Sequence, residues 1–94
     1  MLTITPQAQK KLIEALQEHT KDPKMAIRIT LNPSLPKRLD LILDKAKKGD
    51  CIVKTVDGMK ILVIQSHLAT KLEGLLLDYE EIIQDFIISE MTRH

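Results

Sequence analysis

Apolar and polar positions fall into two β-rich runs across residues 51–64, CIVKTVDGMKILVI, on either side of Asp57-Gly58. That dipeptide readily adopts the positive φ angles of a tight type I′ turn. A two-residue loop sets Val56 opposite Met59, Lys54 opposite Ile61 and Ile52 opposite Val63. The other face then carries Cys51, Val53, Thr55, Lys60, Leu62 and Ile64. Both faces are largely apolar toward the open end, which predicts a hairpin inside a sheet, covered on both sides there.

Other segments follow from the same spacing rules. Leu2-Thr3-Ile4 alternates like a short edge strand. Thr5-Pro6 starts a helix, the hydroxyl as N-cap and the proline at the first helical position. Ala8, Leu12, Ala15, Leu16 and His19 recur at three and four, with Ile13 beside them, so the helix is amphipathic and ends near Thr20. Lys21-Asp22-Pro23 breaks it. Met25, Ile27, Ile29 and Leu31 alternate with Ala26, Arg28 and Thr30 as a strand with one buried face. Asn32-Pro33-Ser34-Leu35-Pro36 is expected to interrupt any ladder, because proline has no N–H to donate. A further strand holds Leu39, Leu41 and Leu43, followed by a charged turn over 45–50 containing Gly49. Ser66 is the expected cap of a short helix in which Leu68 and Leu72 share a face, and Gly74 suits its stop. Leu75-Leu76-Leu77 reads as a buried strand. Beyond it the pattern is ambiguous: Tyr79, Ile82, Ile83, Phe86 and Ile87 have helical spacing, whereas Phe86-Ile87-Ile88 is β-rich.

Composition narrows the class. Ninety-four residues without repeats or linkers suit a single domain spanning 1–94. Only Tyr79 and Phe86 are aromatic, so the core must be Leu, Ile and Val. A net charge of +1 gives no general argument for nucleic acid or an anionic membrane. The N-terminus lacks a signal-peptide pattern and no apolar run reaches membrane-spanning length. Cys51 is the only cysteine, which rules out an intrachain disulfide and makes the cytoplasm the expected compartment.

Taken in order, Ile4-Thr5-Pro6-x-Ala8, the helix, Ile27-Arg28-Ile29, Leu39-x-Leu41-x-Leu43-Asp44 and Asp57-Gly58-Met59-x-Ile61-x-Val63 resemble the HesB/IscA-like family of A-type iron–sulfur cluster carriers. Asp78-Tyr79 and Phe86-x-Ile88 match the late Asp-Tyr and Phe-x-Ile segments of that family. The resemblance implies an α+β, mainly β fold: a compact sandwich or distorted barrel of mixed strands, with a long N-terminal helix outside and a short second helix. It favours a strand at Phe86 to Ile88. It also implies ligands, namely a cysteine in the loop after the Ile-Arg-Ile strand and a Cys-Gly-Cys pair near the C-terminus. Residues 32–38, NPSLPKR, contain no cysteine, and the sequence reaches His94 without the pair. A cluster needs several thiolates converging on one centre. The resemblance therefore implies a degenerate member without the ligand cysteines, binding no cofactor of its own.

The remaining candidates are weighed by chemistry. Cys51 reads as a small buried hydrophobe before it reads as a metal ligand. His19 suits a helix end, while His67 and His94 have no neighbour at metal-ligand spacing. Asp78, Glu80, Glu81 and Asp85 read as solvated acids, since adjacent strand residues face opposite ways. Lys37 and Arg38 with Lys45, Lys47 and Lys48 flank one strand; with no aromatic side chain nearby to stack bases, they serve better as guards against edge-to-edge pairing. The expected site is a partner-binding loop presenting Leu35, Lys37 and Arg38, stiffened by Pro33 and Pro36. Two functional classes follow: a non-enzymatic accessory or binding module, or a cluster-assembly protein whose metal is held between chains or by a partner's thiolates. A protein partner or a second copy of the chain is the expected occupant, and nucleic acid and membrane are not.

Overall fold

The computed structural model describes residues 2–32 and 35–90, with side chains for all of these except 32 and 35–38. β1 (Thr3–Ile4) is followed by helix α1 (Pro6–His19), β2 (Met25–Asn32), β3 (Leu35–Lys45), β4 (Asp50–Lys54) and β5 (Lys60–Gln65). The short helix α2 (Ser66–Lys71) leads to β6 (Leu75–Glu80) and β7 (Asp85–Glu90). The strands form two mixed sheets, ordered β3-β2-β5-β4 and β1-β6-β7. Within them β2 runs parallel to β5 and β1 parallel to β6, while the hairpin neighbours are antiparallel. This is the mainly β architecture with one long and one short helix that the family resemblance implies.

α1 forms where the sequence places it. Thr5 is extended at φ −67°, ψ 154°, and its hydroxyl accepts the Ala8 N–H at 3.1 Å. The same hydroxyl donates to Asp78 Oδ1 at 2.7 Å, and the Thr5 N–H donates to the Leu77 carbonyl at 3.0 Å. The helix start is thus bonded to β6 by side chain and by backbone. Ala8, Leu12 and Leu16 bury one stripe, and His19 occupies the last turn. The stripe packs with Ile27, Ile29, Leu39, Leu62, Ile64, Leu72 and Leu77, so α1 closes a core shared by both sheets. Burial of this kind contributes roughly 1.5–3 kcal/mol per large aliphatic side chain.

Four expectations need correction. The 51–64 hairpin keeps the expected pairs at its open end, including Ile52 with Val63, but a register shift after Val53 pairs Lys54 with Lys60. The loop has three residues, not two. The Gly58 N–H donates to the Thr55 carbonyl (2.9 Å), the Thr55 N–H to the Met59 carbonyl (2.8 Å), and Gly58 has φ +86°. That is the type I turn with a following left-handed residue, the next commonest hairpin closure after the two-residue turns. Val56 and Asp57 are consequently exposed at the tip.

The second correction concerns burial of that hairpin. β5 lies between β2 and β4 and is buried from Ile61 to Ile64, as expected, but β4 is an edge strand whose Cys51 and Ile52 are exposed. Third, the ladder does resume after the proline-containing segment. Pairing passes from Leu31 with Leu39 to Asn32 with Leu35, a shift that skips residues 36–38. An edge strand tolerates Pro36, because the missing donor need not face a neighbour. Fourth, Gln65 caps α2 without a side-chain bond, and Ser66 is the first helical residue. The ambiguous C-terminal run resolves as a strand, β7, paired through Phe86 with Tyr79 and Ile88 with Leu77.

Candidate functional site

Arg28 sits in the middle of β2, on the face opposite Ile27 and Ile29, and its guanidinium is almost fully enclosed. A planar fork of donors needs planar acceptors, and two carboxylates supply them. Nη1 and Nη2 donate to the two oxygens of Asp50 at 3.1 and 2.6 Å, and Nε donates to Asp44 Oδ2 at 2.7 Å. Nη2 also donates to the Lys45 carbonyl at 3.2 Å. The acids are fixed in turn, since Lys45 N–H donates to Asp44 and Lys47 N–H to Asp50, at 2.8 and 2.7 Å. The bonds from Asp50 and then Asp44 hold the guanidinium charged well above its ordinary range, against the opposing effect of burial. Arg28 in turn holds both carboxyls below the usual carboxylate range. The arrangement clamps the end of β3 and the start of β4 to β2. Four of the five guanidinium N–H groups point at fixed partners, so its chemistry is structural.

A more open feature lies where the two sheets part. A cleft of about 540 Å³ is lined by Leu31, Leu39, Leu72, Leu75 and Ile88, with Lys71 and Glu90 among its polar lining. Its size falls in the range of ligand pockets, and its wall is mainly aliphatic. The backbone of residues 35–38 belongs to β3, directly before Leu39 of that wall. The side chains of Leu35, Lys37 and Arg38, and the prolines' connection at 33–34, lie outside the described residues.

The other residues singled out from sequence do not converge. Cys51 is exposed on β4 opposite Ile64, contrary to the buried role expected for it, because an edge strand leaves a small side chain uncovered. His19 ends α1 and His67 lies in α2. Among the described residues no three His, Cys, Asp or Glu side chains are grouped to hold a metal ion. The late acids are separately occupied: Asp78 accepts from Thr5 and from the Tyr79 N–H, Glu80 from the Ile82 N–H at 3.3 Å, and Asp85 from the Phe86 N–H. No described helix is long and apolar enough to cross a membrane.

Sequence reasoning missed the Arg28 clamp. Its signal was present: a cation at an outward position of a strand, and aspartates bracketing the charged turn that follows the neighbouring strand.

The fold has known counterparts. No protein-family model matches the sequence, and no curated protein matches it. Among solved structures, Escherichia coli SufA, a protein involved in the biosynthesis of iron–sulfur clusters, superposes with a TM-score of 0.64 at 23% identity, covering 95% of this chain and 84% of SufA. IscA, solved with its [2Fe-2S] cluster, superposes with a TM-score of 0.60 at 26% identity, covering 94% of this chain and 81% of IscA. The chain therefore has the HesB/IscA-like fold of the A-type iron–sulfur carriers.

Proposed function

We propose that this chain is a non-enzymatic binding module that keeps the carrier scaffold, as one domain, without holding a cluster of its own. The observation that carries this reading is the thiol count. These residues include one cysteine, on edge strand β4, and residues 32–38, where the family resemblance expects the first ligand, include none. A cluster of the kind IscA holds needs about four protein ligands, mostly thiolates, around one centre. The residues present do not fit that requirement. Leu35, Lys37 and Arg38 are the proposed partner contacts, placed ahead of the aliphatic cleft in β3. The proposed setting is the cytoplasm.

A second reading has one observation in its favour. Cys51 is exposed, so its thiol can be reached by another chain, and a cluster completed by a second copy or by a partner's thiolates would make the protein a true assembly factor. Anaerobic incubation of the purified protein with ferrous iron and sulfide separates the two. The module reading expects no stoichiometric iron and no charge-transfer absorbance. A visible band that appears in the wild type and vanishes in Cys51→Ser would establish the second reading instead.

A further inference from the structure

Where the two sheets part, their facing side chains are aliphatic. Leu31 pairs with Leu39 and stands two residues beyond Ile29, so both continue the core face of the β2–β3 sheet. On the other sheet Leu75 pairs with Glu90 and Leu77 with Ile88, so these four share the inward face. Leu72, the C-cap of α2, is buried and completes the aliphatic wall. Leu77 lies deeper in the core, so the inward row of that sheet runs from apolar residues to an acid at the mouth.

Two opposite charges line this cleft of about 540 Å³, Lys71 from the last turn of α2 and Glu90 from the end of β7. Both are exposed, and among the described residues neither side chain has an ion-pair partner, each other included. Unlike charges that share a cleft without meeting are each left open to a charge on a ligand. The lining therefore asks for three things in one small molecule: an aliphatic body, an anionic end and a cationic end. A fatty acid would bring its carboxylate to Glu90 as well as to Lys71, and a metal ion would meet Lys71. The interior of a peptide chain offers the body but neither charge.

We infer that the cleft binds a free aliphatic α-amino acid, its side chain among the leucines, its carboxylate toward Lys71 and its ammonium toward Glu90. The volume lies within the range of small-molecule sites, whose walls are mostly apolar with a few polar groups that fix orientation. Both charges are solvated, so each contributes at most about fivefold to affinity and binding is weak and rapidly reversible. The inference does not rest on the module reading. It uses neither Cys51 nor Leu35, Lys37 and Arg38, and it stands whether or not a cluster is held.

Titration of the isotope-labelled full chain, followed through its amide NMR signals, tests it. L-leucine is expected to shift the signals of Leu31, Leu39, Leu72, Leu75 and Ile88 in a saturable way. Glycine, which keeps both charges without the body, and N-acetyl-leucine amide, which keeps the body without the charges, should each bind several-fold more weakly. Two probes with one charge each, 4-methylpentanoate and 3-methylbutylamine, separate the ends. Lys71→Ala should erase the advantage of leucine over 3-methylbutylamine, and Glu90→Gln its advantage over 4-methylpentanoate. Both substitutions are at exposed positions and leave the fold intact. Absence of saturable shifts up to the solubility of leucine would overturn the proposal, as would shifts confined to another face. Equal binding of the capped amide would overturn it in favour of a neutral apolar segment, and advantages unmoved by the two substitutions would remove the charged ends.

Discussion

Replacing Arg28 with alanine should unfold this protein more readily than almost any other single change outside the aliphatic core. The guanidinium side chain is 10% exposed and that of Asp50 5% exposed, and the two share a bidentate contact. Removing the cation leaves Asp50 enclosed with only the Lys47 N–H to answer it. Losing one partner of a buried pair costs about 3–5 kcal/mol. The clamp lies at strand ends beside a solvated loop, where water can enter, so the lower bound of about 3 kcal/mol is expected. For a domain of this size that corresponds to a fall of roughly 12–24 °C in Tm. The pH dependence gives an independent sign. Arg28 depresses the Asp44 and Asp50 pKa values, so the stability they contribute is fully present above the ordinary carboxylate pKa of about 4 and is lost as pH falls through the depressed folded values. In Arg28→Ala the enclosed Asp50 should instead prefer its neutral form, and mild acid should recover part of the lost stability. Urea titrations at pH 7 and pH 5 check both statements. A double variant, Arg28→Met with Asp50→Leu, should recover most of the loss, because an apolar pair can occupy the space of a buried ion pair. A loss below about 1 kcal/mol in Arg28→Ala, or a pH profile unchanged from wild type, would refute the assignment of the clamp as a stability centre.

Gly58→Val should cost at least about 1 kcal/mol, through backbone strain at φ +86° alone, since a Cβ there would meet no atom within 4 Å. An unchanged denaturation midpoint would contradict the observed turn. The combined Leu35→Ala, Lys37→Ala and Arg38→Ala variant should fold normally and lose a captured protein partner in a pull-down against wild type. Retention of every partner would make this stretch a plain part of β3.

How much of this was legible follows from which forces are local. Thr5-Pro6 and the Ala8–Leu12–Leu16 stripe fix α1, because capping and a 3.6-residue period act within a few residues. Alternation likewise marked β2, and a continuous apolar run marked β5. It could not tell β4 from β5, since Cys51-Ile52-Val53 and Leu62-Val63-Ile64 are equally apolar and only tertiary placement makes one an edge. Asp57-Gly58 allowed two turn types with the same glycine, and the register shift beside Lys54 selected the longer loop. Phe86 to Ile88 satisfied both periods, and pairing with β6 decided for the strand. Asp44 and Asp50 are visible around the charged turn, but their meeting with Arg28, 16 and 22 positions away on another strand, is set by tertiary placement. The cleft is the least legible feature, because its walls come from β2, β3, α2, β6 and β7.

The bond between Thr5 and Asp78 spans 73 positions of the chain, and the parallel pairing of Thr3–Ile4 with Leu76 and Leu77 spans the same distance. Closing a loop of that length costs about 4 kcal/mol of chain entropy beyond a length-independent constant, against two ladder positions and one capping bond. The N-terminal strand therefore cannot dock early. On a growing polypeptide α1 precedes β6, so its Leu12 and Leu16 stripe gains Leu77 only after β6 has been synthesised. Annealing of β1 onto β6 is thus expected late in folding, and until then the edge of β6 that takes β1 stays open to pairing with another chain.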